Sequence, residues 1–448
     1  MFKPEFFKTS SLTAVTMIVT SAPALASGFA LNTQSAEALG AATAGSPATR
    51  ATPANAFFNP AAIVGVEGIE SSLSLVGVIN NTSFENAEAA LFGTVPVQGE
   101  ARGDAVIGDA VFPTGATAVR LNEHLFAGIA AYAPFGFNTE YPDTSVMRYQ
   151  GTFSQVVSGS LTPIIGVALG EHWSIAGGPR FQYIDVDTDG AIDAAGIEAA
   201  LLMTSAVPGT DDIFFEFDAN DWGIGYTVGI QGDLTSNIHV GVSFISKVEH
   251  DLEGRAKFDL GASAAGQNLA MMAGLFQDTG LSSELTTPAM IQFGVVADLS
   301  PRTRLMASAT QTRWASFDQL VTTFENPAQP PEVTTQNWDN AWGGAIGVEH
   351  DISQSESIRA GVMLEEDPVN PDFSTARVPG AKRVWLGAGY SRELSDRAEL
   401  HLAASYVYND TGPVDQSAAL AENQFRGSLQ ADVNISGLLF AVGLDWKF

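Results

Sequence analysis

The 448 residues contain no cysteine, which excludes a disulfide framework and any thiolate-held metal. Charge is scarce as well. Asp, Glu, Lys and Arg make up 16% of the chain, against roughly a quarter in soluble proteins. The charge that is present is one-sided, 50 acids against 21 bases, net −29. No basic patch is available for nucleic acid. Past the leader, no apolar run reaches the ~20 residues of a membrane-spanning helix. Catalytic spacing is missing too. The six histidines (His124, His172, His239, His250, His350 and His401) are scattered, with no HExxH pair and no GxSxG elbow. Nothing marks an enzyme, a metal centre or a bound cofactor.

The N-terminus carries three parts of a secretory leader in order. Lys3 and Lys8 form a basic start, Ser11 to Thr20 a short apolar core, and Ala24-Leu25-Ala26 a small-x-small cleavage site. Residues 1–26 are therefore expected to be removed, leaving Ser27 first. An exported chain without a spanning helix is either soluble or a β-barrel.

From Gly68 onward a period of two takes over. Leu438, Phe440, Val442, Leu444, Trp446 and Phe448 alternate with Leu439, Ala441, Gly443, Asp445 and Lys447. Successive strand side chains point to opposite faces, so one face is wholly large and apolar. About eleven residues suit a tilted strand crossing a bilayer. The pattern recurs at Trp222, Ile224, Tyr226, Val228 and Ile230, and again around Val240, Phe293 and Leu402. Large apolar side chains outward, small or polar ones inward and Trp or Tyr at the borders describe an outer-membrane barrel. Lipid supplies no backbone partners, so the sheet must close on itself.

The expectation is an all-β, fourteen-stranded antiparallel transmembrane barrel over 69–448, with strands starting near Ile69, Ala105, His124, Gly151, His172, Asp218, Asn237, Thr286, Arg304, Trp338, Ser357, Lys382, Arg397 and Gly437. Residues 27–68 do not alternate. They are rich in small residues, weakly helical and close on Asn59-Pro60-Ala61, so they are expected to plug the lumen as a hatch. Two long outer loops are expected, about 185–221 and 254–285. The first is rich in aspartate, which reads either as a solvated rim or as a seat for divalent cations between lipopolysaccharide phosphates. Each loop contains an apolar helix candidate, Ala191 to Met203 and Leu269 to Phe276. Leu201, Leu202, Met203, Met271, Met272, Leu275 and Phe276 would form an extracellular apolar groove, or the two helices would pack together as a lid.

Several segments in order resemble one family: the mature start SGFALNTQSAEALG, the Asn59-Pro60-Ala61 tripeptide, Tyr132 to Tyr141 (YAPFGFNTEY) followed by Arg148-Tyr149, Arg313 to Phe317 (RWASF) and Arg383 to Tyr390 (RVWLGAGY). Together they make the chain similar to the FadL family of outer-membrane transporters for long-chain fatty acids and other hydrophobic molecules. The resemblance implies a monomeric, hatch-plugged barrel that takes up fatty acids or uncharged hydrocarbons. It implies an internal pocket at Phe29, with Leu31 beside it, and a sideways exit at a kink in the third strand. Pro134-Phe135-Gly136 fit that kink independently, because proline removes a ladder donor and glycine weakens a strand interior. A carboxylate cargo would need a base, and Arg180, on the inward parity of its strand and close to Tyr183, is the candidate, with a salt bridge in the wall as its other reading. The C-terminal strand ending in Phe448 would engage the barrel-assembly machinery. A non-selective porin, a barrel lipase and a surface adhesin are the other readings of the same pattern.

Overall fold

The computed structural model describes residues 28–104 and 108–448. The leader, Ser27 and Ala105 lie outside the described residues. The wall is a single antiparallel sheet closed by its first and last strands, with Glu70 opposite Lys447 and Ala90 opposite Ser428. Fourteen strands follow one another around it. The first seven are β1 (Ile69–Leu91), β2 (Ala110–Arg120), β3 (Leu125–Tyr132, resumed at Gly136–Glu140), β4 (Phe153–Leu169), β5 (Trp173–Asp193), β6 (Asp212–Thr235) and β7 (Ile238–Ile245, then Val248–Asp259). The rest are β8 (Thr279–Thr287, then Met290–Ser300), β9 (Thr303–Thr312), β10 (Ala341–Asp351), β11 (Glu356–Glu365), β12 (Arg383–Ser395), β13 (Ala398–Asn409) and β14 (Ser428–Lys447).

The period-two faces emerge as expected in the lower half of the wall. Trp222, Ile224 and Tyr226 are 54–69% exposed, while Thr227 beside them is buried toward the lumen. Farther out the alternation continues with its chemistry reversed. On β14, Leu429, Ala431, Val433 and Ile435 are buried, and Gln430 points outward. On β6, Phe215, Phe217 and Ala219 are buried while Glu216 and Asn220 are exposed. Above the bilayer, water replaces lipid outside, so the apolar residues turn inward.

This reversal corrects three boundaries. β14 starts at Ser428 rather than near Gly437. The two "loops" are strand at both ends: 185–193 and 212–221 extend β5 and β6, and 254–259 and 279–285 extend β7 and β8. Within them, α2 (Ala194–Leu202) forms close to its expected place, whereas α3 occupies Ala264–Ala273 rather than Leu269 to Phe276. Ser263 caps α3 through the Gly266 N–H, and Gly274 ends it in the left-handed region.

The hatch fills the lumen. It consists of α1 (Ala36–Gly40) and three short 3₁₀ turns, Ser46–Ala48, Pro53–Asn55 and Pro60–Ile63. Asn59 joins it to the wall. Its Oδ1 accepts from the Ala61 N–H at 3.0 Å, and its Nδ2 donates to Pro47 O at 2.9 Å and to Ile230 O of β6 at 3.1 Å. Gly229 makes room for this, since a Cβ there would fall 2.0 Å from Asn59 Oδ1. Two ion pairs add to the attachment at the periplasmic side. Arg50 meets Asp233 at 2.8 Å, and Arg359 meets Glu37 at 3.6 Å.

Candidate functional site: the aromatic cavity and the gap in the wall

Phe29 is buried, at 1% exposure, in a cage of rings. Trp314 lies 4.6 Å away between ring centroids, Phe317 5.6 Å, and Phe135, Phe137 and Trp338 each 5.8 Å. Gly28 has φ +59, and a Cβ there would strike Trp338 at 2.5 Å, so glycine lets the chain turn into the cage. Above the cage is a cavity of about 80 Å³, room for a few methylene groups. Phe29, Phe137, Val156, Phe217, Leu285 and Phe317 give it apolar walls. An outer hairpin (Gln319–Phe324 paired with Glu332–Thr335) covers one side.

Among the described residues one cation lines this cavity, and it is Arg377 rather than Arg180. The Arg377 Nη1 donates to Phe153 O at 2.9 Å and to Ser154 Oγ at 2.8 Å. Its guanidinium lies 5.7 Å from the Phe215 ring. Among the described residues no carboxylate is within ion-pair distance of it. Burial pushes this guanidinium down to about 10, while Glu332 nearby acts in the opposite direction. Arg377 therefore stays charged at neutral pH, a cation facing a mostly apolar cavity that Glu332 also lines, with no counter-ion in contact among the described residues.

The other expected pocket residues divide. Arg180 does point inward and is fully buried, with Nη2 donating to Ser246 O at 2.8 Å. It sits opposite Gly225, away from the cavity lining. Its Nε and Nη1 face buried space without a partner. Tyr183 faces outward. Three residues from Arg180 along a strand means the opposite face, and its ring packs 5.2 Å from Trp222 in the outer aromatic border. Leu31 is buried among Leu39 and its neighbours, outside the cavity, and acts through its backbone.

That backbone reaches the kink. β3 pairs with β4 at Tyr132–Ser160 and resumes at Gly136–Val157. Four steps on β3 thus match three on β4, leaving one residue extra, as in a bulge. β2 pairs with β3 only as far as Gly115–Ala131. Beyond that point, residues 110–114 pair with β1 alone, and among the described residues no ladder joins them to Gly136–Glu140. The hatch occupies the gap from inside. The Leu31 N–H donates to Pro134 O at 2.8 Å, the Gly136 N–H to Phe29 O at 2.9 Å, and Ala30 bridges Phe135.

The expected outer groove separates into two sets. Leu275 and Phe276 are buried, with Phe276 5.6 Å from Phe258. Leu202 packs partly against the same core. Leu201, Met203, Met271 and Met272 point outward, with Met203 90% and Met271 80% exposed. The α2–α3 contact itself is polar in part, Asn268 donating to Glu198 at 2.8 Å. The Arg148-Tyr149 element holds the outer loops together. Arg148 pairs with Asp212 at 2.9 Å, and the Tyr149 O–H donates to the same carboxylate at 2.6 Å.

Sequence reasoning missed Trp314, Phe317, Trp338 and Arg377 as site residues. The RWASF segment carried a signal for the first two. Trp338 reads in the sequence as the start of a strand, and Arg377 lies in an irregular loop where no periodicity points inward.

A closed antiparallel wall with an apolar exterior, a hatch across its lumen and an apolar cavity above the hatch defines an outer-membrane transport barrel for hydrophobic molecules. Residues 17–448 match the family of outer membrane protein transport proteins (OMPP1/FadL/TodX), and the chain belongs to it. It is similar to an outer membrane protein of Neisseria meningitidis serogroup B, 26% identical over 94% of this chain and 95% of the relative. It is also similar to the long-chain fatty acid transport protein of Salmonella typhi, 22% identical over 93% and 95%. Among solved structures, a Pseudomonas aeruginosa FadL homologue superposes with a TM-score of 0.85 at 19% identity, covering 94% of this chain and 100% of that one. The protein resides in the outer membrane.

Proposed function

We propose that the protein takes up long-chain fatty acids passively, through the aromatic cavity and out sideways at the β2–β3 gap. Arg377 carries this reading. A guanidinium with neutral hydrogen-bond partners, facing a cavity with apolar walls and a polar border that includes Glu332, suits a cargo with one carboxylate on a hydrocarbon chain. Charge-assisted hydrogen bonds are worth about 1.5–3 kcal/mol, enough to fix the head group while the chain is buried at about 0.8 kcal/mol per CH₂. The cavity is far too small for a whole acyl chain, so transport requires the Phe29 segment to yield. Because that segment also holds the kink, its displacement frees the gap, and the chain passes into lipid without meeting water. On this reading the barrel is a cofactor-free monomer that does no chemistry on its cargo. Its acidic outer strands stand among lipopolysaccharide.

Binding of oleate, methyl oleate and dodecane to the barrel in lipid nanodiscs tests the reading. Oleate is expected to bind most tightly, and Arg377→Gln to weaken oleate about 10- to 100-fold without changing the ester. Equal binding of all three, unaffected by the substitution, would favour a carrier of uncharged hydrocarbons.

A further inference from the structure

The outer hairpin over the cavity contributes an acid as well as a cover. Glu332 lines the same cavity as Arg377. Its carboxylate is engaged elsewhere, since Arg426 Nη2 donates to Glu332 Oε1 at 2.7 Å. Arg426 also reaches Thr334 Oγ1 at 3.3 Å and Val333 O at 3.2 Å. From the same outer segment, Glu422 accepts from the Thr335 N–H at 2.9 Å and from its hydroxyl at 2.7 Å. The hairpin joins the wall through three residue pairs, Leu281–Phe324, Ser282–Thr323 and Ser283–Thr322. Its turn is tied down as well, the Glu325 N–H donating to Gly280 O and the Asn326 N–H to Thr279 Oγ1, each at 2.9 Å, so Arg426 and Glu422 act chiefly on the Glu332–Thr335 strand.

The arrangement is an acid between two arginines, bound to one and within the field of the other. Among the described residues Arg377 has no carboxylate within ion-pair distance; Asp189 stands near it and accepts from Nη1 through its backbone O at 3.3 Å, but Glu332 is the acid that lines the cavity in front of the guanidinium. We propose that Glu332 is an internal competitor for the Arg377 head-group seat, held off by Arg426, and that this pair sets how tightly a carboxylate cargo is retained. With Glu332 on Arg426, the seat is open but a negative charge stands beside it, which weakens capture and speeds release. If Arg426 is lost, Glu332 is free to turn to Arg377 and close the seat. Arg426 is thus a positioning residue and Glu332 a specificity-determining one. A transporter gains from such tempering, because a head group held too firmly would not move on.

The inference rests on the carboxylate reading of Arg377 above. Its test uses full-length barrel in nanodiscs, with oleate and methyl oleate as probes and Arg377→Gln, Glu332→Gln, Arg426→Gln and the Glu332→Gln/Arg426→Gln double variant. Glu332→Gln is expected to tighten oleate about fivefold, as expected when one screened, half-exposed like charge is removed. Arg426→Gln is expected to weaken oleate by a similar factor. The double variant should bind oleate more tightly than Arg426→Gln, since Glu332 no longer competes, and no more tightly than Glu332→Gln, which keeps the freed Arg426 charge. Methyl oleate should not respond to any of them. A hairpin that acts only as a structural latch predicts instead that both single variants shift oleate and ester together, in the same direction, and that result would overturn the proposal. If Arg377→Gln lowers oleate affinity while the other variants show no opposed shifts, the competitor idea alone fails. If Arg377→Gln leaves oleate unchanged, the carboxylate reading fails and the competitor falls with it.

Discussion

Gly136 N–H donates to Phe29 O at 2.9 Å, so the kink in the wall and the floor of the cavity share a backbone hydrogen bond. The Leu31 N–H to Pro134 O bond, 2.8 Å, lies two residues farther along the hatch. Displacement of the Phe29 backbone, as distinct from rotation of its ring, breaks the first of these. Cavity and gap are thus mechanically coupled by a few residues of backbone.

The first prediction tests that coupling. Replacing Pro134 and Gly136 together with valine restores a ladder donor and a β-branched side chain to the strand. β3 should straighten and extend its pairing along residues 110–114 of β2. Uptake of a labelled fatty acid by whole cells is expected to fall at least tenfold while binding to purified barrel persists. Unchanged uptake would remove the sideways exit.

How much of this was legible beforehand depends on which signal each part carried. The lipid-facing half of every strand announces itself, because Trp222, Ile224 and Tyr226 have no reason to alternate with glycine except a lipid exterior. The upper halves do not. Phe215 with Glu216, and Val433 with Asp432, alternate in the ordinary soluble sense and were absorbed into loops. The kink was legible because Pro134 and Gly136 violate a strong local rule. The cage was legible only at Phe29. Phe135 and Phe137 come from the kinked strand, while Trp314, Phe317, Trp338 and Arg377 come from segments hundreds of residues away, and their meeting is a property of the closed barrel. Assigning Tyr183 to the pocket alongside Arg180 contradicted the strand period itself.

The second prediction separates cavity residues from their neighbours. Phe29→Ala removes a ring from a packed cage, a change that typically costs 3–5 kcal/mol in a buried core. It should lower the thermal stability of the barrel and shift ligand affinity. Leu31→Ala and Tyr183→Phe should leave oleate affinity within about twofold, because neither side chain lines the cavity. Stability and binding measured on the same three variants make the comparison.

A third concerns the hatch anchor. Asn59→Ala removes the hydrogen bonds to Pro47 O, Ile230 O and from the Ala61 N–H at once, leaving Pro47 O with Gln231 Nε2 at 3.2 Å. Buried unsatisfied polar groups cost about 1–3 kcal/mol each, with water entering to offset part of that. The hatch should loosen on the β6–β7 side. Liposomes carrying the variant are expected to swell in small sugars, whereas wild-type liposomes should not. Swelling equal to that of the wild type would mean that Arg50–Asp233 and Glu37–Arg359 suffice to hold the plug.

The last prediction follows from the lowered proton affinity of Arg377. Burial brings this group to about 10, so it is positive below that pH and loses its charge as pH rises through it. The oleate carboxylate is already ionised well below neutrality, so the attraction is complete near pH 7 and vanishes on the alkaline side only. Oleate affinity should be level from pH 7 to about 9 and then fall by about tenfold toward pH 11. Methyl oleate affinity should stay flat over the same range, which separates loss of the head-group contact from alkaline unfolding. In Arg377→Gln the oleate curve should be flat and low throughout. An alkaline fall that persists in that variant would assign the titration to another group and remove Arg377 from the head-group seat.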